Sequence, residues 1–271
     1  MIQNKITLLL LLNILFYNSA LAQSITLVAD PWCPYNCAQG SKLKGYVVEI
    51  AEKAFSKHNI KVDYVVMPWS RAILRVLEGK NDGLVGVGKE EVPELIFPTE
   101  ELGIANHAFF TLDDSDWQYS GVKSLDEVVL GVIQSYSYGE LDKLYITNPK
   151  ISKGKIQAVS SVNGLRQNVG KLKLKRIDAL IEDRNVFNFF LQENNIQNNS
   201  REAGIAYKEH IYIAFSPLNP NAERYAQLLS HELEIMRLNG QLSEILNKYN
   251  LKDWHGSSSK KQEVSEIPIK K

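Results

Sequence analysis

The strongest constraint on the fold is an alternation of two hydrophobic periods that runs twice through the chain. Residues 24–30 (SITLVAD) read as a strand, and Val47, Ile50, Ala51, Ala54 and Phe55 then recur at the spacing of one helix face. Residues 61–67 are rich in β-branched and aromatic side chains and read as a second strand, closed by Pro68. Residues 71–78 read as a helix ended by Gly79, and 84–88 as a short buried strand between glycines. This βαβαβ order predicts a parallel sheet with helices on both faces. A second round follows. Ser124 and Glu127 have the spacing of a capping box. Strands are then expected at 129–134, 155–160 and 177–182, and helices at 139–146, 162–172 and 184–192. The end of the chain adds a strand at 211–215, a long amphipathic helix at 221–238 and another helix at 241–249.

Residues 1–22 read as an export signal. Lys5 precedes an apolar run over 6–16, broken only by Thr7 and Asn13, and Ala20-Leu21-Ala22 supplies small residues for cleavage. The run is short of the roughly 20 residues that span a bilayer. Gln23, not Cys, follows, so a lipid anchor is not expected. The expected product is a soluble periplasmic protein that is not membrane-embedded. In that oxidising compartment the C-x-x-x-C spacing of Cys33 and Cys37 favours a disulfide over a redox dithiol. The five histidines, His58, His107, His210, His231 and His255, lie scattered without paired spacing, so no metal is expected. Lys+Arg and Asp+Glu are both 31, and this neutrality argues against a nucleic-acid partner. Residues 256–271 lack apolar periodicity and read as a disordered tail.

In open α/β sheets, ligands bind beyond the carboxyl ends of the strands. Here those are residues 31–36, 69–71, 86–89, 134–138 and 183–184, which hold Trp32, Tyr35, Trp69, Arg71, Tyr136 and Asp183. Rings with one charge of each sign suit a small zwitterionic or polar ligand. Arg71 falls in the first turn of its helix, where the macrodipole disfavours a cation. A ligand carboxylate would explain the placement, and pairing with a nearby acid is the alternative. Asp178 and Asp183 are five apart and point to opposite faces of a strand, which excludes a paired-carboxylate centre on it. Nucleophile-elbow, zincin and P-loop motifs are absent. The run Gly86-Val87-Gly88-Lys89-Glu90-Glu91 begins like a dinucleotide loop but has Glu91 where the third Gly belongs. No catalytic residue and no cofactor are expected.

Taken in order, several segments resemble the family 3 solute-binding proteins of bacterial ABC importers, the polar amino-acid type. They are the export signal, the loop Asp30-Pro31-Trp32-Cys33-Pro34-Tyr35, Gly45-Tyr46, Pro68-Trp69-Ser70-Arg71, Gly79-Lys80-Asn81-Asp82-Gly83 and the run from Arg176 to Asp183. The resemblance covers about residues 24 to 254. It implies an α/β, two-lobed periplasmic-binding-protein-like clamp, each lobe a mostly parallel sheet flanked by helices, with a double hinge crossover. Residues 23–109 and 211–255 would form lobe one and 110–210 lobe two. It further implies a monomer that passes a small polar ligand, an amino acid or a related organic acid or amine, to an ABC transporter permease. Trp32, Tyr35 and Trp69 would wall the cleft. Ser135 and nearby amides would meet a carboxylate, beside Tyr136, and Asp183 would receive the ligand's ammonium. The chain departs from the family pattern in two places. Lys89-Glu90-Glu91-Val92 stands where an arginine usually grips the α-carboxylate, so Arg71 is expected to take that role, and Val47 replaces an expected acid. A dehydratase-like enzyme on the same clamp, and a ligand-sensing partner of a membrane receptor, remain the alternatives.

Overall fold

The computed structural model describes residues 23–159 and 163–256. The expected export signal, the junction at 160–162 and the tail from 257 onward lie outside the described residues. In chain order the regular elements are β1 (Gln23–Ala29), α1 (Tyr46–Ser56), β2 (Ile60–Val66), α2 (Trp69–Leu77), β3 (Gly83–Val87), β4 (Gly103–Leu112) and β5 (Leu130–Ile133). They continue with α3 (Pro149–Ser152), β6 (Ile156–Val159), α4 (Gly164–Lys173), β7 (Ala179–Asp183), α5 (Arg184–Glu193), β8 (Ser200–Phe215), α6 (Ala222–Leu238) and α7 (Gln241–Asn247).

The strands lie in the order β2-β1-β3-β8-β4-β7-β5-β6. β1 is parallel to β2 and β3, and β5 is parallel to β6 and β7, as the two βαβ rounds require. The middle is antiparallel: β8 pairs with β3 at one end and β4 along most of its length, and β4 also pairs with β7. The sheet is therefore mixed, less parallel than the alternation alone implies. The strand expected at 211–215 is only the end of the 16-residue β8, and the hydrophobic pattern does not predict β4. Both carry polar residues in the stretch between the two parallel halves. Asn106, His107, Lys208, Glu209 and His210 interrupt the apolar run there while the backbone pairing continues. These two long strands carry the chain across between the lobes.

Burial follows the local periods. α1 buries Val47, Ile50, Ala51, Ala54 and Phe55, the stripe expected of an amphipathic helix. Together with α6, α7, β1, β3 and the end of β8 it encloses one continuous core containing Leu27, Phe55, Leu84, Phe215, Leu233 and Met236. In the second lobe successive residues of β4 and β7 point to opposite faces. Phe109 and Ile181 join one cluster with Leu125 and Tyr145. Phe110 and Leu180 join another with Leu172 and Phe187. The expected capping box does not form. Ser124 sits inside a 3₁₀ turn (Val122–Glu127), donating from Oγ to Gly121 and accepting from the Ser120 amide. Among the described residues, no helix is long and apolar enough to cross a membrane.

Candidate functional site

Two cavities lie between the lobes, and both are walled by Trp32 and Tyr136. The loop after β1 builds the first wall. Cys33 and Cys37 are joined by a disulfide with their Cα atoms 4.6 Å apart. The Trp32 amide donates to Asn36 O at 2.7 Å, and Asn36 Nδ2 donates to Asp30 O at 2.7 Å, folding the loop back on itself. This closure turns the Trp32 indole into the cleft. Gly86, at φ +85° within β3, lets that strand approach the loop, because a Cβ there would stand 2.8 Å from Asn36 Oδ1. Gly88 likewise leaves room for the Glu209 carboxylate, which a Cβ would overlap. The glycines that resemble a dinucleotide loop serve close packing around the cleft.

The inner cavity, about 40 Å³, is lined by acids. Asp30 stands just beyond β1 and accepts from Tyr136 Oη at 2.7 Å. Glu91, after β3, accepts from Trp69 Nε1 at 2.7 Å. Glu209 projects from β8, with its Oε2 3.6 Å from His107 Nε2. Burial pushes Asp30 up to about 7, although the Tyr136 hydroxyl opposes the shift. Burial also pushes Glu91 up to about 8, opposed by the Trp69 N–H and reinforced by the Glu209 charge. No lysine or arginine lines this cavity among the described residues. Two buried polar atoms of its lining residues, His107 Nε2 and Asn36 Oδ1, have no hydrogen-bond partner among the described residues. Buried polar atoms without partners are uncommon in folded proteins, because each forfeits its hydration. A cation entering here would find carboxyls to ionise, aromatic faces and unused hydrogen-bonding capacity.

The outer cavity is larger, about 330 Å³, and opens between the disulfide loop and the helices α4 and α5. Glu182 forms part of its lining and accepts from Trp32 Nε1 at 2.9 Å and from the Asp183 amide at 2.9 Å. Burial raises Glu182 to about 7, against the pull of the Trp32 N–H.

The expected site residues are only partly brought together. Trp32 and Trp69, each 8% exposed, and Tyr136 do line the cleft. Tyr35 is fully buried one layer back, its ring stacked on Trp32 at 4.3 Å, so it supports the wall and lines neither cavity. Ser135 is exposed at φ +68° and lines neither cavity; its backbone turn delivers Tyr136 instead. Arg71 is also exposed and lines neither cavity. α2 opens at Trp69, and two residues further on the helix has turned about 200°, which directs Arg71 away from the face that buries Trp69, Ala72 and Val76. Asp183 is completely buried as the N-cap of α5. It accepts from the amides of Asn185, Val186 and Asn106 at 2.9, 3.0 and 2.7 Å, and burial raises its pKa. Its oxygens are occupied by backbone, and the neighbouring Glu182 is the acid that reaches a cavity.

The sequence pattern alone does not single out Glu182, Glu209 or His107. An acid directly before a helix is a frequent N-cap, and that signal would have assigned Asp183 to structure and left Glu182 for the cleft. Glu209 and His107 lie on the polar stretches of the crossing strands, whose pairing the hydrophobic pattern does not reveal.

Residues 25–252 match the model of the bacterial extracellular solute-binding proteins, family 3. No curated protein matches the chain. Three solved structures show the likeness of fold. A histidine kinase sensor domain with similarity to periplasmic binding proteins is 18% identical, with a TM-score of 0.69 over 84% of this chain and 95% of that one. The substrate binding protein of an ABC uptake transporter from Streptococcus pneumoniae, with bound histidine, is 18% identical, with a TM-score of 0.69 over 83% and 92%. An ancestral arginine-binding protein bound to arginine is 19% identical, with a TM-score of 0.65 over 83% and 97%. At these identities the similarity is one of architecture.

Proposed function

The chain belongs to the bacterial extracellular solute-binding proteins, family 3, and from that premise we propose that it captures a small solute bearing a cationic group and delivers it to an ABC importer from the periplasm. The observation that carries the cationic part is the inner cavity, where Asp30, Glu91 and Glu209 face one space without a lysine or arginine in its lining. A carboxyl held neutral by burial regains its charge when a cation replaces lost solvent, and that exchange favours an ammonium or guanidinium over an anion. The indoles of Trp32 and Trp69 add apolar walls and ring faces suited to the same charge. Glu91, in the segment where the family resemblance implies a carboxylate-gripping arginine, disfavours an isolated organic acid.

Delivery follows from the clamp. Residues 23–109 and 211–255 form one jaw and 110–210 the other, with β4 and β8 as the crossing strands. Trp32–Glu182 and Tyr136–Asp30 are contacts between the jaws. A solute that binds better between closed jaws shifts the population toward closure, and a transporter can read that state. The protein acts as a monomer and needs no cofactor. The family and its structural neighbours are binding proteins and not enzymes. The neighbours with bound histidine and arginine support an amino acid or related amine as the solute class.

A thermal-shift screen of amines, amino acids and organic acids, followed by calorimetry, tests this. A solute at 100 times its dissociation constant stabilises the fold by about 2.7 kcal/mol. Cationic solutes are expected to raise the melting temperature and simple organic anions to leave it unchanged. Stabilisation confined to anions, or by no member of the set, overturns the proposal.

A further inference from the structure

The two cavities differ in size and in charge, and that difference bears on the length of the solute. The inner cavity, at about 40 Å³, is the smaller of the two. It has room for a charged head group. The outer cavity, at about 330 Å³, falls at the lower end of the roughly 300–1,000 Å³ range of small-molecule sites. Its charged lining comprises Glu182 and Glu193 together with Lys42 and Arg166.

Arg166 is exposed at the rim of this cavity and has no acidic partner among the described residues. Its guanidinium lies over the Phe190 ring, 5.2 Å from the centroid, and donates to Asn194 Oδ1. Phe190 and Asn194 both line the cavity. Among the described residues Arg166 forms no ion pair. A guanidinium braced by a ring and an amide retains donors in a fixed plane, the arrangement that suits a carboxylate.

We propose that the outer cavity is the second half of the binding site and takes the anionic end of an elongated zwitterion whose cationic end enters the acidic inner cavity. The inference rests on the cationic reading of the inner cavity. Trp32 and Tyr136 are the shared wall. The ligand's ammonium replaces the Tyr136 hydroxyl on Asp30, and a turn of the Tyr136 side chain joins the two spaces. The carboxylate meets Arg166, with Lys42 as a second cation at the same cavity. An α-amino acid with a short side chain, whose charges sit side by side, spans this site poorly. A solute with charges at opposite ends spans it well.

Calorimetry with 6-aminohexanoate and n-hexylamine, which share chain length and ammonium, provides the test. The amino acid is expected to bind about tenfold more tightly, as one charge-assisted contact allows. Arg166→Gln should abolish that advantage while leaving hexylamine unchanged, and Lys173→Gln, exposed on the same helix and outside the lining, should preserve it. Equal affinity of the two probes, or an equal loss of both in Arg166→Gln, overturns the elongated-zwitterion site and leaves the cationic reading standing. Undiminished hexylamine binding in Asp30→Asn and Glu91→Gln overturns the cationic reading itself. A protein that binds neither probe overturns both.

Discussion

The two lobes bury their apolar residues differently. The first has one continuous core, in which α1, α6 and α7 close over β1, β3 and the end of β8. The second has two smaller clusters, one on each face of its sheet, and one of them is covered by a 3₁₀ turn, a single wide turn (Asp142–Ile146) and the loop carrying Trp117 and Tyr119. Opening free energy tracks buried apolar contact, so the first lobe forms the rigid platform and the second opens more readily. The chemistry divides along the same line. The platform supplies the indoles, the carboxyls Asp30 and Glu91, and Lys42, while the second lobe supplies Tyr136, the carboxyls Glu182 and Glu209, and the outer cavity's arginine.

The largest expected effect tests that difference directly. Phe55 packs edge-on against Phe215 at 6.3 Å and Tyr225 at 5.6 Å in the continuous core. Phe55→Ala should cost about 3–5 kcal/mol. Phe187, stacked on Phe110 at 3.8 Å in one of the smaller clusters, should cost less when replaced by alanine. The thinner cluster collapses more readily around the gap. Denaturant unfolding measures both. Equal losses would erase the distinction between platform and jaw.

Next in size is acid titration. Asp30, Glu91 and Glu182 have folded pKa values raised to about 7, 8 and 7 from ordinary values of 3.8, 4.5 and 4.5. Between about pH 4 and 8 the folded protein therefore holds more protons than the unfolded chain. Stability from these groups is fully present below the ordinary carboxylate range and is lost as pH rises through 7 to 8. Each titrating group contributes a slope of at most about 1.4 kcal/mol per pH unit. The melting temperature of the solute-free protein should fall across that window, and Asp30→Asn with Glu91→Gln should flatten the fall. A bound cation stabilises the ionised carboxyls, so its affinity should increase over the same range. A melting temperature that rises from pH 5 to 8 would contradict the assignment.

Adjacent acids at the end of β7 give a smaller and sharper contrast. Asp183→Ala removes three amide contacts and an N-cap, which costs about 1–2 kcal/mol of stability. Glu182→Gln keeps an acceptor for Trp32 Nε1 and should change solute affinity more than stability. Melting curves and calorimetry on the two variants separate these outcomes.

That pair also shows how far a sequence carries. Hydrophobic periods identified β1, α1, β2, β3 and the β5–β7 series because each places apolar residues on a buried face. Most of β4 and β8 escaped because the crossing strands carry Asn, His, Lys and Glu where they leave one core for the other, and their partner is distant in sequence. At the site, Trp32, Trp69 and Tyr136 were legible as rings beyond strand ends. Choosing between Glu182 and Asp183 required knowing where the strand stops and the helix begins. A shift of one residue at that boundary exchanges a cavity-lining acid for a capping one.

The smallest expected effect concerns Arg71, the arginine that sequence order places nearest the cleft. Trp69 occupies the inward face of α2, and the helical turn carries Arg71 to solvent. Arg71→Ala should therefore change stability by no more than about 0.5 kcal/mol, as at other exposed positions, and should leave solute affinity within about twofold, below the 1.4 kcal/mol of a tenfold change. Arg166→Gln, further along the chain and on the other lobe, should change affinity for a zwitterion while Arg71→Ala does not. If titration calorimetry instead finds the loss at Arg71, the carboxylate grip belongs to the platform and not to the second lobe.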